Sequence, residues 1–181
     1  MQPTRHVLPV RNFFARFHPQ PGFSKPVMAR MPIVNRTTQA GFVNFDKNAP
    51  VLGRMGPLEV RLVRSVSEIK QAQQLRYLVF YEELNATPDE VTKAKRRDVD
   101  AYDPICDHLV VLDAEQKRHP IVATYRLLRQ EIADRFGGFY SASEFSIDPL
   151  LSAHSEKRFL ELGRSCVLKD YRNKRTIELL W

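Results

Sequence analysis

The stretch LEVRLVRSVSEIKQAQQLRYLVFYEEL, residues 58–84, decides the fold. It opens in alternation, with Leu58, Val60 and Leu62 on one side against Glu59 and Arg61 on the other, the period of a half-buried strand ending near Ser65. The period then lengthens. Ser67 is the expected N-cap, Glu68 is acidic in the first turn, and Ile69, Ala72, Leu75, Leu78, Val79 and Tyr81 form the apolar face of a helix reaching about Leu84. Arg76 and Phe80 stand four apart on that helix, so a cation and an aromatic ring are expected to line one cleft.

Outward from this pair, residues 85–103 are charged and poor in apolar side chains. Lys93, Lys95, Arg96 and Arg97 precede Asp98, Asp100 and Asp103 in what reads as a mobile loop or short helix of functional length. Two β-branched runs, 108–112 and 121–128, flank a polar turn and predict an antiparallel hairpin. Residues 130–136 read as a helix stopped at Gly137-Gly138, and residues 140–147 as an irregular strand. Residues 158–168 read as a strand whose Gly163 marks a close backbone approach. A basic turn, Tyr171-Arg172-Asn173-Lys174-Arg175, leads to an apolar helix over residues 176–181. That helix has no stop signal, so the chain is expected to break off inside an element.

Charge divides the chain. Residues 1–57 hold 8 Lys and Arg against 1 acidic residue, leaving 20 of each sign for residues 58–181. The balanced part is long enough for one core, and residues 1–57, rich in proline, read as a largely disordered extension. Within it, Val10, Phe13, Phe14 and Phe17 lie at helical spacing beside Arg11 and Arg16. Peripheral contact with a membrane surface is one reading; a disordered tail, or a true start at Met28 or Met31, is the other. No nucleic-acid reading motif is present. Two cysteines, Cys106 and Cys166, argue against a disulfide framework and a cysteine zinc site, and no His or Cys spacing suggests another metal. A cytoplasmic protein is expected, with any membrane association at the inner face of a bacterial cytoplasmic membrane.

The order strand, helix, loop, hairpin, strand, basic turn, helix resembles the first two thirds of the GCN5-related N-acetyltransferase (GNAT) fold, an α+β architecture with a mixed, mainly antiparallel sheet. Arg76-x-x-x-Phe80, Asp100-x-Tyr102-Asp103, Arg126-Leu127-Leu128 and Glu161-x-x-Arg164 resemble the pattern of acyl-homoserine-lactone synthases. LRYLVFYEE (75–83), YDPICDHL (102–109), TYRLL (124–128), GFYSASEF (138–145) and ELGRSCV (161–167) look closer to the hemolysin-like ornithine acyl-carrier-protein N-acyltransferases. The resemblance covers residues 58–181, and the sequence departs from that family in lacking everything after Trp181.

The resemblance implies transfer of a 3-hydroxyacyl chain from an acyl carrier protein thioester to the α-amine of ornithine, giving lyso-ornithine lipid, with no cofactor beyond the carrier's phosphopantetheine. An attacking amine must first lose a proton, so a base is needed. Glu161 is the first candidate and His108 the second. A zwitterion with a cationic side chain calls for arginines and carboxylates, which Arg76, Arg126, Arg164, Asp100 and Asp103 supply, with Phe80 lining the cleft. The same residues read equally as a structural ion-pair network. Tyr171, Arg172, Lys174 and Arg175 are expected to meet the pantetheine arm or an acidic carrier protein, or else to form a solvated turn. Cys166 and Ser165 read as packed residues, since direct transfer needs no protein nucleophile. Two other functions stay open: an autoinducer synthase, and a noncatalytic fragment that binds carrier protein or membrane.

Overall fold

The structure, a computed structural model, describes residues 45–118 and 120–181. The basic amphipathic segment at residues 7–17 and the alternative starts at Met28 and Met31 lie outside the described residues. Five strands form one sheet in the order β1 (Val51–Met55), β2 (Leu58–Leu62), β3 (Asp107–Asp113), β4 (Ile121–Arg129) and β5 (Leu160–Val167). Every pairing among them is antiparallel. Helices α1 (Val66–Tyr77), α2 (Glu90–Lys95), α3 (Gln130–Ala133), α4 (Asp148–Ala153) and α5 (Lys174–Leu180) fill the connections. No described helix is long and apolar enough to cross a membrane.

The sheet starts earlier than residue 58. β1 lies inside the stretch read as an extension and pairs with β2, so that boundary is corrected to Val51 or before. Pro50 and Pro57 bracket the strand instead of interrupting it, and Gly56, at φ +62°, takes the positive φ that a two-residue hairpin loop needs and proline cannot adopt.

The start of α1 also differs. Ser65, not Ser67, is the N-cap: its backbone is extended and its Oγ accepts from the Glu68 N–H at 3.3 Å. Glu68 stands at the third helical position, and its carboxylate takes the Arg64 N–H at 2.7 Å and both terminal nitrogens of Arg61 at 2.9 Å. The cap thereby ties the helix to β2. At the other end the α-helix stops at Tyr77 and a π-helical turn, Leu78–Glu83, carries the chain on, with the Leu84 N–H reaching back to the Val79 carbonyl at 3.0 Å.

Helices cover both faces of the sheet. α1 lays Ala72 and Leu75, with Val79 of the π-turn, against Val110, Ile121 and Cys166. On the opposite face Leu180 of α5 joins Leu58, Val60, Leu109, Val111, Tyr125 and Val167. A third cluster, Ile105, Cys106, Leu128, Ala133 and Phe139, sits under the loops between β4 and β5. Residues 140–147 are not a strand. Tyr140–Ser143 is a 3-10 turn, because the Tyr140 and Ser141 N–H groups are taken by the Glu161 side chain and not by a neighbouring strand.

Candidate active site

Strand register gathers the site on the α1 face. His108 pairs with Arg126, Arg126 with Gly163, and Leu128 with Glu161, so the side chains of His108, Arg126 and Glu161 leave the sheet on one side. Between Gly163 and Cys166 the register slips: two residues of β5, Arg164 and Ser165, stand opposite the single Tyr125 of β4. Arg164 takes up the slip at φ +53°, a left-handed conformation that costs a non-glycine residue about 1–3 kcal/mol. This bulge turns its guanidinium toward the aspartates. Gly163 itself has an ordinary φ, and no heavy atom lies within 4 Å of where a Cβ would stand, so no backbone crowds it.

The aspartates come from the turn that follows α2. Asp98 is anchored by its N–H to the Gln73 carbonyl at 3.0 Å. Asp100 and Asp103 cap each other: Asp100 Oδ1 accepts the N–H groups of Tyr102 and Asp103 at 2.9 and 3.2 Å, and Asp103 Oδ2 accepts that of Asp100 at 3.2 Å. His108 Nε2 donates to the Asp103 carbonyl at 2.9 Å and closes the turn onto β3.

Three arginines enter this carboxylate set. Arg76 donates from Nε to Asp98 at 2.8 Å and from Nη2 to Asp103 at 2.9 Å, and its Nη2 also meets the Asp98 carbonyl. Arg126 binds Asp100 at 2.5 Å and Asp103 at 3.3 Å. Arg164 lies 3.4 Å from both Asp98 and Asp100. Burial alone would push the Asp100 carboxyl up, but Arg126, Arg164 and Arg76 carry it below the usual carboxylate range. Exposure separates the arginines: the Arg76 and Arg126 side chains are 1% and 5% exposed, that of Arg164 29%.

Two tyrosines frame the exposed cation. The Arg126 guanidinium lies 5.5 Å from the Tyr102 ring centre and that of Arg164 lies 5.3 Å from Tyr140, while the two rings meet edge to face at 5.6 Å. Tyr140 is held there by Glu161, whose oxygens accept the Tyr140 N–H at 2.8 Å, the Ser141 N–H at 2.8 Å and the Ser141 hydroxyl at 2.6 Å. His108 is buried and its Nδ1 has no hydrogen-bond partner among the described residues; burial, with Arg76 and Arg126 nearby, lowers its pKa and keeps the ring neutral. Burial pushes the Cys106 thiol up to about 12 and raises Cys166 too, so neither is a thiolate near neutral pH.

The structure thus brings Arg76, Arg126, Arg164, Asp100, Asp103, His108 and Glu161 together. Phe80, within the π-turn, packs partly buried against the α1 core. The basic turn is separate. Arg172 spends its donors on the Val167 carbonyl and the Glu83 carboxylate, and the Tyr171 hydroxyl donates to Asp113 at 2.7 Å. Lys174, paired with Glu178, and Arg175 stay exposed. Asp98, Tyr81, Tyr102, Tyr140 and Ser141 were missed as site residues. Asp98 shares the acidic run of Asp100 and Asp103, which was the available signal; Tyr81, in the π-turn, donates to it at 3.1 Å.

The site thus lies on an antiparallel sheet that is bulged beside a cluster of cations and carboxylates and covered by helices on both faces. Residues 75–181 match the acetyltransferase (GNAT) domain family, and the chain belongs to that family. It is 58% identical over 134 residues to the L-ornithine N(alpha)-acyltransferase of Rhizobium meliloti (strain 1021), a match covering 72% of this chain and 45% of that protein. Identity to the protein of the same name from Agrobacterium fabrum (strain C58 / ATCC 33970) is 54% over 137 residues, covering 74% and 47%. The chain therefore spans about half the length of the curated relatives it matches. A solved structure of FeeM, an N-acyl amino acid synthase from uncultured soil microbes, overlays with a TM-score of 0.47 at 12% identity, covering 68% of this chain and 60% of that one.

Proposed function

We propose that this chain is part of an L-ornithine Nα-acyltransferase, which moves a 3-hydroxyacyl group from an acyl carrier protein thioester to the α-amine of ornithine and yields a lyso-ornithine lipid. The observation that carries the reading is Arg164. It is the one arginine of the three in the network with substantial exposure, it borders Asp100, and Tyr140 covers its plane. An α-amino acid presents a carboxylate beside an ammonium, and an exposed guanidinium edge next to a carboxylate is its complement. Arg76 and Arg126, being buried, brace the aspartates from behind. Glu161 is the proposed proton acceptor; His108, buried and neutral, holds the aspartate turn.

Lys174 and Arg175, exposed at the start of α5 where Lys174 pairs with Glu178, are the proposed contacts for the phosphopantetheine arm or the acidic carrier protein, since Arg172 is tied to Glu83. The relatives' name supports ornithine as acceptor. Work of the protein at the inner face of a bacterial membrane follows from the lipid product. The test is acylation of L-ornithine by the chain with 3-hydroxyacyl carrier protein, compared with Arg164→Ala and Arg164→Lys. The expected result is a rise in KM for ornithine of about tenfold or more for the alanine variant, partly restored by lysine. Unchanged KM in both variants would remove Arg164 from substrate recognition.

A further inference from the structure

Three donors already engage the two oxygens of Glu161, two of them on Oε1 and one on Oε2. Two of those donors are backbone amides, which cannot pass a proton on. The third is the Ser141 hydroxyl, 2.6 Å from Oε1, the distance of a charge-assisted hydroxyl–carboxylate bond. Ser141 is only partly buried, whereas the amides lie in the turn itself. Beginning with the next residue, an open depression of about 380 Å³ is lined by residues 142–148.

From this geometry, and resting on the acyltransfer reading above, we infer that Ser141 is a catalytic residue that relays the proton from the substrate amine to Glu161. The hydroxyl donates to the carboxylate, which leaves its oxygen lone pairs to accept. As the amine nitrogen forms its bond to the thioester carbonyl carbon, a proton leaves that nitrogen for Ser141 Oγ, and the serine's own proton passes to Glu161 Oε1. The C–S bond then breaks, and the sulfur departs as a thiolate with the bonding pair. Glu161 returns its proton through Ser141 to the thiolate or to water, which restores the starting state. The two amide donors keep Glu161 fixed throughout, so only the proton moves. The arrangement also accounts for a turn built around one carboxylate: the same side chain places Tyr140 against Arg164 and aims Ser141.

The experiment measures ornithine acylation from 3-hydroxyacyl carrier protein by wild type, Ser141→Ala and Ser141→Thr, over pH 5.5–9. Ser141→Ala keeps both backbone donors and loses only the hydroxyl. It is expected to lower kcat about 10²-fold with little change in KM for ornithine, with threonine restoring most of the rate. A proton inventory of the wild-type kcat in H₂O/D₂O mixtures should bow, as two protons move together. Wild-type kcat and pH profile in Ser141→Ala, or a linear inventory, would overturn the relay and leave the acyltransfer reading standing. Absence of ornithine acylation in the wild type would overturn both. Circular dichroism of the alanine variant checks the fold, and the inventory decides the matter even if that variant unfolds.

Discussion

Arg172 closes both terminal nitrogens of its guanidinium on the carboxylate of Glu83, the last residue of the π-turn, with Nη2 at 2.6 Å from Oε2. The pair joins the end of the π-turn to the segment between β5 and α5. It is partly exposed, so its worth is set by geometry against solvent screening. A double-mutant cycle with Glu83→Gln and Arg172→Gln is expected to give a coupling of about 0.5–1 kcal/mol in urea unfolding at low salt. At about 1 M NaCl the coupling should fall toward zero.

Asp98 is a different case, because it lies buried between Arg76 and Arg164. Removing it takes the carboxylate from Nε of a guanidinium that is 1% exposed, although Nη2 keeps Asp103. Asp98→Ala is expected to destabilise the chain by about 3–5 kcal/mol in urea unfolding. Arg54→Ala, which breaks only the exposed pair with Glu59, should stay within about 0.5 kcal/mol. Equal effects for the two would mean that the buried network contributes no more than a surface ion pair.

His108 and Asp100 both contribute to the acid side of the stability curve. Burial, then Arg76 and Arg126, depresses the His108 pKa, although its bond to Asp103 pulls the other way. The unfolded chain therefore binds the proton first: stability is whole above pH about 6.5 and falls as the pH drops toward the folded value. The Asp100 carboxyl is also depressed, its arginines outweighing burial, so its contribution is present above pH about 4 and is lost as the pH falls through its folded pKa. Unfolding free energies at pH 7.5 and 5.5 should differ less in His108→Gln than in wild type, and Asp100→Asn should flatten the curve only below pH about 4.

Gly163 faces the side of the sheet that carries Arg126 and Glu161, with open space where a Cβ would stand. Gly163→Ala should leave stability within about 0.5 kcal/mol of wild type, while Gly163→Val should depress ornithine acylation more than alanine does. A large loss of stability on Gly163→Ala would place a neighbour where the structure has none.

The α+β architecture was readable because alternation in residues 58–62 and helical spacing after Ser65 survive tertiary contacts. Arg76, Asp100, Asp103, Arg126, Glu161 and Arg164 were readable as a group through their types and order. What escaped depends on backbone detail. β1 was hidden by flanking prolines, whose position relative to a strand composition does not reveal. Gly163 drew attention as the special backbone position of β5, yet the positive φ belongs to its neighbour Arg164, since a bulge follows from pairing with β4. Phe80 packs against the α1 core from a π-turn that helical spacing in the sequence does not reveal. Ser141 and Tyr140 gave no periodic signal, and only the Glu161 side chain brings them to the site.

The aspartates and arginines around this site are equal in number: Asp98, Asp100 and Asp103 against Arg76, Arg126 and Arg164. These six cancel one another at a distance, which leaves the Glu161 carboxylate as the site's residual charge. Beyond a Debye length that single charge is screened, and a zwitterionic amino acid would arrive by unassisted diffusion. Only at contact, where the exposed edge of Arg164 and its neighbouring carboxylate are resolved as separate charges, would the site discriminate among ligands.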